Sequence, residues 1–351
     1  MTSPNQMNDV KLTVTKKYKE DPMDSSKTTD KLLILTSGGD APGMNATLRA
    51  VTRSAHYHGI KTYACHDGYQ GLVDQKIFPM SPHDVANTIQ RGGTIIRSGR
   101  STKFKEKNIR MECSEFLKKE GIKYLIAIGG DGTFRGATLL EEDGGPKCIG
   151  IPGTIDNDIV GTDYTIGYDT ARNTALDAID KIRDTATSSS LYFLVETMGR
   201  NSGFLAADVG LAGGVEYVLT PEFPVPIQEL AKKITSPKRK KQSLIIVVAE
   251  GDEPGRAVTM AQLLRQLTPE FGYRVCILGH IQRGGSPTAM DRIVASHMGN
   301  LAVEALLDNK SKCMTAIQNG QYVLAPFPDP NNPSRRLTNY DLIKLTTILS
   351  S

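Results

Sequence analysis

The sequence predicts an α/β fold with mainly parallel sheets, and two observations support this class. Short apolar runs alternate with longer amphipathic stretches from Lys31 onward, a pattern typical of parallel strands joined by helices. Glycine-rich segments follow several of the apolar runs, at the strand ends where proteins of this class bind ligands. At 351 residues, the chain is long enough for two lobes, each around its own core.

The elements are expected in a regular order after residues 1–29, a polar and aperiodic stretch that we predict to be a flexible extension. Apolar runs predict strands at Leu32–Leu35, Ile60–Ala64, Tyr124–Ile128, Cys148–Ile151, Leu191–Val195, Leu244–Val248 and Val275–Leu278. Helical periodicity occurs, among other places, at Ala41–His58, Ile109–Lys119, Tyr168–Thr185 and Met260–Leu267.

Composition and charge exclude several classes of function. The net charge is only +4, and the main basic cluster at 238–241 precedes an apolar run, so nucleic-acid binding is not indicated. The five cysteines are widely separated and lack zinc-site spacing, which predicts neither zinc nor disulfides and favours a reducing, cytoplasmic location. No apolar run approaches the roughly 18 residues of a membrane helix, so we expect no membrane partner.

Two glycine pairs are placed where a phosphate could bind. Gly38-Gly39 follows the first predicted strand, and Gly129-Gly130 lies between a strand and the helix-prone stretch Thr133–Leu140. Glycine lets backbone N–H groups approach phosphate oxygens, and a helix N-terminus adds partial positive charge. Either pair alone is equally well explained as a structural turn. The chain has neither the P-loop nor the dinucleotide-binding pattern, so its phosphate-binding loops are of another kind.

Asp131 stands among glycines in "GGDGT". Magnesium prefers oxygen ligands and bridges substrate phosphates to one or two carboxylates, so this residue is a candidate metal ligand. A carboxylate that caps a helix beginning near Thr133 is the alternative.

Asp156 and Asp158 lie two residues apart in "PGTIDND". In an extended segment both carboxylates would face one substrate while Asn157 points away. One carboxylate could then accept the proton of an attacking hydroxyl, and the other could orient the substrate or bind metal. By itself "DND" is more typical of a surface turn.

Cationic and donor side chains lie on separate predicted loops, at Arg200, Arg274, His280 and Arg283. Guanidinium groups bind phosphate oxygens in a bidentate manner and stabilise the charge of a phosphoryl-transfer transition state. Taken alone, an arginine is more often a surface ion-pair partner, and His280 a structural histidine. Taken alone, Met198 is more typical of a hydrophobic core residue, and Glu250 of a residue that caps the end of a strand.

In order and spacing, these loops together resemble the phosphofructokinase family. The resemblance is carried by "LTSGGDAPGMNA", "IGGDGT", "PGTIDND", "MGR" before "SG", and "LGHIQRGGSP", between residues 35 and 287, and it continues to about residue 320. It implies two Rossmann-like lobes and a homotetramer whose active sites are shared between subunits. The implied reaction is phosphoryl transfer from Mg-ATP to the 1-hydroxyl of fructose 6-phosphate.

The resemblance also implies roles for the matching residues. The nucleotide and magnesium site would comprise Gly38, Arg100, Gly130, Asp131, Gly132 and Thr133, with Asp131 as the metal ligand. Asp156 would be the catalytic base, assisted by Thr154, Asp158 and Arg200. The sugar phosphate would be held by Met198, Glu250, Arg274, His280 and Arg283, with Arg274 contributed by a neighbouring subunit.

The same resemblance divides the chain into lobes. Residues 30–167 and 282–332 are expected to form the nucleotide-binding lobe. Residues 168–281 and 333–351 are expected to form the sugar-phosphate-binding lobe.

The phosphoryl donor can be argued from Gly132 and Gly153. Family members that use pyrophosphate typically carry Asp and Lys at these positions. A carboxylate at the first would repel the inner phosphates of a nucleotide, and an ammonium at the second would compensate for a smaller anion. The two glycines therefore favour ATP.

Regulation and the sugar-phosphate end show departures from the bacterial pattern. The residues that match the family's effector pocket are Arg49, Arg53, Arg183, Glu216, Arg239 and Lys241. Pro82 and Ser243 stand where that pattern has Arg and His, so a different effector or none is expected. Leu191 stands where bacterial members carry an arginine that binds the 6-phosphate, which predicts a weaker hold on that group.

Three other functions were weighed. The "GGDGT" motif also resembles the nucleotide loop of NAD kinases and diacylglycerol-type lipid kinases, but these lack "PGTIDND" followed by "GHIQRGG". A non-catalytic regulatory subunit is the alternative from another class, and Asp131, Asp156, Asp158 and Arg200 argue against it. A kinase that acts on a related sugar or sugar phosphate is the third.

Overall fold

A computed structural model describes residues 30–236, 243–251, 254–329 and 336–350. Within these residues the strands form one seven-stranded and one four-stranded sheet, with helices packed on both. The predicted α/β class with mainly parallel sheets is confirmed. The predicted extension at 1–29 and the basic cluster at 238–241 lie outside the described residues.

The larger sheet has the strand order β11-β10-β5-β4-β1-β2-β3. Its strands, numbered in chain order, are β1 (Lys31–Thr36), β2 (Lys61–Cys65), β3 (Ile77–Met80), β4 (Ile122–Gly129), β5 (Lys147–Pro152), β10 (Cys313–Gln318) and β11 (Gln321–Pro326). The central strands pair in parallel, whereas β2–β3 and β10–β11 are antiparallel. Residues Leu32–Leu35 of β1 are fully buried because helices cover both faces of a parallel sheet.

The smaller sheet is entirely parallel and has the order β7-β8-β6-β9. Its strands are β6 (Tyr192–Thr197), β7 (Tyr217–Leu219), β8 (Leu244–Ala249) and β9 (Tyr273–Ile277). Strand β9 is therefore an edge strand of this sheet. The chain passes from the larger sheet to the smaller one after β5 and returns to the larger sheet after β9.

The helices flank both sheets. They are α1 (Met44–Tyr57), α2 (Gly68–Val73), α3 (Lys107–Lys119), α4 (Asp131–Glu142), α5 (Tyr168–Ser189), α6 (Phe204–Ala212), α7 (Ile227–Ile234), α8 (Arg256–Leu267), α9 (Ala289–Leu307) and α10 (Tyr340–Leu349). Helices α1 and α9 pack closely, since a Cβ atom on Gly299 would lie 2.6 Å from the Ala50 Cβ. A side chain at this position would force the two helices apart.

A buried carboxylate ties together the segments that run between the sheets. Asp291, at the start of α9, accepts hydrogen bonds from the Tyr164 hydroxyl at 3.0 Å and from the backbone N–H groups of Gly167 and Thr170 at 2.8 Å each. Burial raises the pKa of Asp291, and its hydrogen bonds oppose that rise. These bonds fix the N-terminus of α5 against that of α9.

Each of the seven predicted strands is present, with shifted ends. The run Leu191–Val195 becomes β6, which begins at Tyr192, and the run Val275–Leu278 becomes β9, which begins at Tyr273. The elements not predicted from the sequence are the strands β3, β7, β10 and β11 and the helices α2, α6, α7, α9 and α10. No described helix is long and apolar enough to cross a membrane. The five cysteines are free thiols.

Candidate active site

A cavity of about 720 Å³ opens at the carboxyl ends of β1, β4 and β5. Most of the sequence-predicted site residues line it, namely Gly38, Arg100, Gly130, Asp131, Gly132, Thr133, Thr154, Asp156, Asp158, Arg200 and Arg283. Since parallel strands end on one edge of the sheet, loops far apart in sequence meet there. The expectation that these loops share one place therefore agrees with the geometry.

The two glycine-bearing loops are joined to each other. The Thr133 Oγ1 donates to the backbone oxygen of Ser37 at 3.1 Å, which links "GGDGT" to "TSGGD". The Ser98 hydroxyl donates to the Gly38 oxygen at 2.9 Å. Thr133 itself is buried, so its hydroxyl holds the loops together. These hydrogen bonds fix the two loops relative to each other within a single chain.

Asp131 is the first residue of α4, and Gly130 is the N-cap. The helix thus begins two residues earlier than the cap alternative at Thr133 requires. Asp131 is exposed to the cavity, where a carboxylate gains from the positive end of the helix dipole. A Cβ atom on the adjacent Gly132 would meet no atom within 4 Å, so open space lies beside this carboxylate.

Asp156 and Asp158 both line the cavity, but the segment between them is not extended. Asn157 has a φ of 52°, so the loop turns through the left-handed region. Extended backbone was thus the wrong reason for placing both carboxylates on one side. The Asn157 side chain is buried and points away from the cavity, where its Nδ2 donates to the Asp163 oxygen at 3.4 Å.

The loop is held on both sides of Asp156. The Asp156 N–H donates to Thr154 Oγ1 at 3.3 Å, as in a turn, and the Ser202 hydroxyl donates to the Asp156 carbonyl at 2.9 Å. The Thr165 hydroxyl donates to the Thr154 carbonyl at 2.7 Å. Thr154 therefore lines the cavity and also stabilises the backbone of this loop.

The electrostatic environment of Asp156 is unusual for a carboxyl group. Burial, and next the negative charge of Asp158, raise its pKa from 3.8 to about 7, while Arg283 and Arg200 oppose the rise. Glu250 adds a smaller contribution in the same direction as Asp158. A carboxylate with a pKa near neutrality is well suited to accept a proton during a reaction.

Arg200 and Glu250 are neighbours at the carboxyl end of the smaller sheet. The Arg200 backbone N–H donates to Glu250 Oε1 at 3.1 Å, and Arg200 has a φ of 52°. Glu250 is buried and does not line the cavity. Met198 is only 6% exposed and packs in the hydrophobic core, as its default interpretation predicted.

The predicted phosphate-binding cations are not brought together. The Arg283 guanidinium lies over the first glycine loop, where its Nη1 is 2.6 Å from the position of a Cβ on Gly39. Arg274 and His280 are exposed and do not line the cavity. Arg274 projects from the edge strand β9, and its Nη1 donates to the Tyr273 oxygen at 3.2 Å.

Leu191 lies immediately before β6, beside the strand that carries Arg274. Its Cδ2 is 3.0 Å from the position of a Cβ on Gly272. Phe193 pairs with Arg274, so Leu191 lies opposite Gly272 and is two residues out of register with Arg274, on the same face of the sheet. An arginine at position 191 would therefore stand next to Arg274.

The candidate effector residues fall into separate groups in the chain. Arg49 and Arg53 lie on α1, and Arg53 donates to the Pro82 oxygen at 3.3 Å. Arg183 donates to the Gly213 oxygen, and buried Glu216 accepts from the Ile245 N–H at 2.8 Å, both in the smaller-sheet part. Arg239 and Lys241 lie outside the described residues.

Several cavity residues escaped the sequence argument. The Tyr69 ring stacks on Phe104 at 4.3 Å, and its hydroxyl donates to the Thr133 oxygen at 2.6 Å, so this tyrosine forms a wall of the cavity. Lys105 and Arg135 are exposed cations at the cavity's edge. Tyr69 and Lys105 lie outside the glycine-rich motifs, whereas Arg135 follows "GGDGT" by two positions. The glycine-rich motifs did carry a signal for three further lining residues, Ser37, Asp40 and Ile155.

A phosphate-binding α/β enzyme with a paired-carboxylate loop is the class that this fold and site define. A sequence model of the family described as Phosphofructokinase matches residues 31–306. The chain belongs to the phosphofructokinase family.

Named relatives agree with this assignment. The chain is 51% identical to an ATP-dependent 6-phosphofructokinase of Coxiella burnetii, over 91% of this chain and 98% of that protein. It resembles the structure of phosphofructokinase from Saccharomyces cerevisiae, with a TM-score of 0.77 and 32% identity over 90% of this chain and 46% of the yeast chain. The T-state structure of Pichia pastoris phosphofructokinase gives a TM-score of 0.79 and 34% identity over 86% of this chain and 35% of that chain. The chain thus spans less than half of these two longer yeast chains.

Proposed function

We propose that this protein is an ATP-dependent 6-phosphofructokinase, which transfers the γ-phosphoryl group of ATP to the 1-hydroxyl of fructose 6-phosphate. The products are fructose 1,6-bisphosphate and ADP, as in glycolysis. The observation that carries this proposal is one cavity lined both by two tied glycine loops and by Asp156, whose pKa is raised to about 7. Phosphoryl transfer needs positioning, charge stabilisation and a proton acceptor, and these residue types supply all three.

In this proposal Asp156 accepts the proton of the 1-hydroxyl as the oxygen attacks phosphorus. Burial, together with the charge of Asp158, keeps the pKa of Asp156 high, and the Arg200 guanidinium stabilises charge on the transferring group. Arg283, which lies over the "TSGGD" loop, is close enough to that loop to serve the donor phosphates as well as the sugar phosphate. The other proposed sugar-phosphate ligands are Met198, Glu250, Arg274 and His280.

Magnesium fits the donor end of the cavity. No group of three or more metal-ligating side chains occurs among the described residues. A magnesium ion bound to ATP takes most of its ligands from phosphates and water, and needs only one or two carboxylates. Asp131, exposed beside open space at the start of α4, meets that need. When bound, the ion would neutralise charge on the donor phosphates.

The preference for ATP is supported mainly at Gly132. Open space surrounds this position in the cavity, so an aspartate there would project a charge among the donor phosphates. Gly153 gives weaker support, because a Cβ there would lie 3.0 Å from the Ile128 side chain. A side chain at Gly153 would have to displace the Ile128 side chain by a few tenths of an ångström, so packing gives a separate reason for glycine at this position.

The remaining assignments complete the proposal. The nucleotide lobe comprises 30–167 and 282–332, and the sugar-phosphate lobe comprises 168–281 and 333–351. Four copies assemble in the cytoplasm, and Arg274 of one subunit completes the site of another. An effector site between subunits would draw on Arg49, Arg53, Arg183, Glu216, Arg239 and Lys241.

Turnover of the purified full chain tests this function. Coupled ADP release is measured with fructose 6-phosphate, other sugar phosphates and unphosphorylated fructose, with ATP and then pyrophosphate as donor. We expect the highest kcat/KM with ATP and fructose 6-phosphate. A higher value for another acceptor would favour a related sugar kinase, and no turnover with any pair would favour a regulatory subunit.

A further inference from the structure

Arg336 contacts the loop that carries Asp156 and Asp158 without lining the cavity. Its Nη1 donates to the Asp163 oxygen at 2.8 Å and to the Asn157 oxygen at 3.4 Å. Asn157 is the residue between the two cavity carboxylates. Arg336 therefore bonds to the backbone at the turn that presents both of them.

The same guanidinium also reaches the second catalytic loop. Its central carbon lies 4.7 Å from the centre of the Phe204 ring. Phe204 is the first residue of α6, directly after the segment that carries Arg200. The Ser202 hydroxyl of that segment donates to the Asp156 oxygen at 2.9 Å. Arg336 thus contacts both loops at the point where they meet.

The turn at Asn157 is held by several contacts. A φ of 52° lies in the left-handed region, which asparagine adopts more readily than most residues other than glycine, and the surrounding hydrogen bonds fix Asn157 there. Asn157 supplies part of this support through Asp163, whose oxygen also accepts from Arg336. A guanidinium can donate to two carbonyl groups while its flat face stacks on an aromatic ring, which an ammonium cannot do.

We propose that Arg336 is a positioning residue for phosphoryl transfer, which holds the Asp156 loop and the Arg200 loop in register with each other. The inference rests on the proposed function. Arg336 lies beyond the residues that match the family, 31–306. A small displacement of reacting groups is costly, since about 1 Å reduces a rate by about 100-fold.

Kinetics of Arg336→Met and Arg336→Lys test this role. We expect kcat of Arg336→Met to fall about 10- to 100-fold, while KM for ATP stays within about twofold because the glycine loops are untouched. Arg336→Lys should recover part of kcat, since it still donates to one carbonyl. Phe204→Leu, which removes only the stacking partner, should lower kcat by less than Arg336→Met.

Asn339→Ala is the matched control on the same segment. The Asn339 side chain caps α10 by accepting from the Asp341 N–H at 2.8 Å, so its loss loosens this helix without touching the loops. A loss of kcat in Asn339→Ala equal to that in Arg336→Met would overturn the proposal. So would a kcat of Arg336→Met within twofold of the unmodified protein.

Hydrogen exchange separates this inference from the proposed function. Backbone amides at 154–166 should exchange faster in Arg336→Met than in the unmodified protein or in Asn339→Ala. If exchange is faster in Arg336→Met but the unmodified protein fails to phosphorylate fructose 6-phosphate, the contact of Arg336 with the loop is supported and the proposed function is contradicted. Unchanged exchange in Arg336→Met would overturn the contact, whatever the activity.

Discussion

The donor end and the sugar-phosphate end of the site are built in contrasting ways. At the donor end, the two glycine loops are bonded to each other, and Asp131 is exposed to the cavity with open space at the adjacent Gly132. At the other end, Arg274 and His280 are exposed on or beside an edge strand and do not line the cavity. We therefore propose that a single chain presents the donor site, whereas the acceptor site needs further groups. In our proposal a second copy of the chain supplies them.

The largest expected effect comes from the point where the two ends meet. Asp156→Ser should lower kcat by about 10²- to 10⁴-fold and change KM for either substrate little, because the carboxylate acts on a proton that moves during the reaction. Steady-state kinetics with ATP and fructose 6-phosphate measure this. Near-normal turnover of Asp156→Ser would show that Asp156 is not the catalytic base.

Sharing of the sugar-phosphate end can be tested by mixing two defective variants. Arg274→Ala should raise KM for fructose 6-phosphate about 10- to 100-fold, since a charge-assisted contact contributes about 1.5–3 kcal/mol. In oligomers assembled from equal amounts of Arg274→Ala and Asp156→Ser, about one quarter of the sites would combine an intact Asp156 with an intact Arg274 from the neighbour.

Activity at low fructose 6-phosphate measures this complementation, with each variant alone as its control. Recovery to about one quarter of normal activity is expected. If the mixture is no more active than the average of its parts, Arg274 serves its own chain and the acceptor end is complete in one copy.

The raised pKa of Asp156 predicts a moderate pH effect. Below pH 7 the carboxyl is increasingly protonated and cannot accept a proton, so kcat/KM should fall about tenfold per pH unit. A pH profile from 5 to 9 measures this at saturating ATP. A profile that is flat down to pH 5 would contradict the assignment of Asp156 as base.

The pH dependence of the free energy of unfolding provides a control for the pH profile. Its sign follows from the raised pKa of Asp156. The pKa of Asp156 is about 7 in the folded protein, above its ordinary 3.8, so the unfolded chain loses its proton first as the pH rises. Stability therefore falls between pH 4 and 7, and the full cost is present above pH 7. Asp156→Asn should raise the free energy of unfolding at pH 8 by roughly 2–4 kcal/mol and change it little at pH 4. Equal effects at both pH values would mean that the carboxyl has an ordinary pKa.

The smallest effect is expected at Leu191, where the sugar-phosphate end lacks a cation. Leu191→Arg should lower KM for fructose 6-phosphate several-fold, because the new guanidinium would stand beside Arg274 on the same sheet face. Leu191→Met is the matched control for side-chain length without charge. An unchanged or raised KM in Leu191→Arg would show that another group already holds the phosphate.

The sequence allowed much of the donor end to be predicted, for a physical reason. Glycine loops and carboxylates at strand ends must appear as short motifs, because each needs specific backbone freedom or charge at a fixed position. The turn at Asn157 was not foreseen, since its conformation depends on contacts with distant residues. Tyr69 was missed for the same reason, because its hydroxyl bonds to Thr133, 64 positions away.

The strands and helices that were not predicted differ in the strength of their sequence signals. Asn319-Gly320 connects β10 to β11, and both residues have positive φ values, of 51° and 76°. This Asn-Gly pair is a strong hairpin signal, so the hairpin of β10 and β11 was predictable from the sequence. Helix α9 gives a weak signal, because it is buried on many sides and its apolar residues follow no clear period.

The position of β10 also matters while the chain is being made. Strand β5 borders β4 on one side, and its other side is completed only by β10, in the pairs Cys313–Ile149 and Met314–Gly150. About 160 residues of synthesis separate these partners, which takes roughly 10 to 30 s at ordinary elongation rates. During that time the apolar edge of β5 is available to other strands. The nascent protein is therefore most exposed to mispairing in the interval before residue 313 is added.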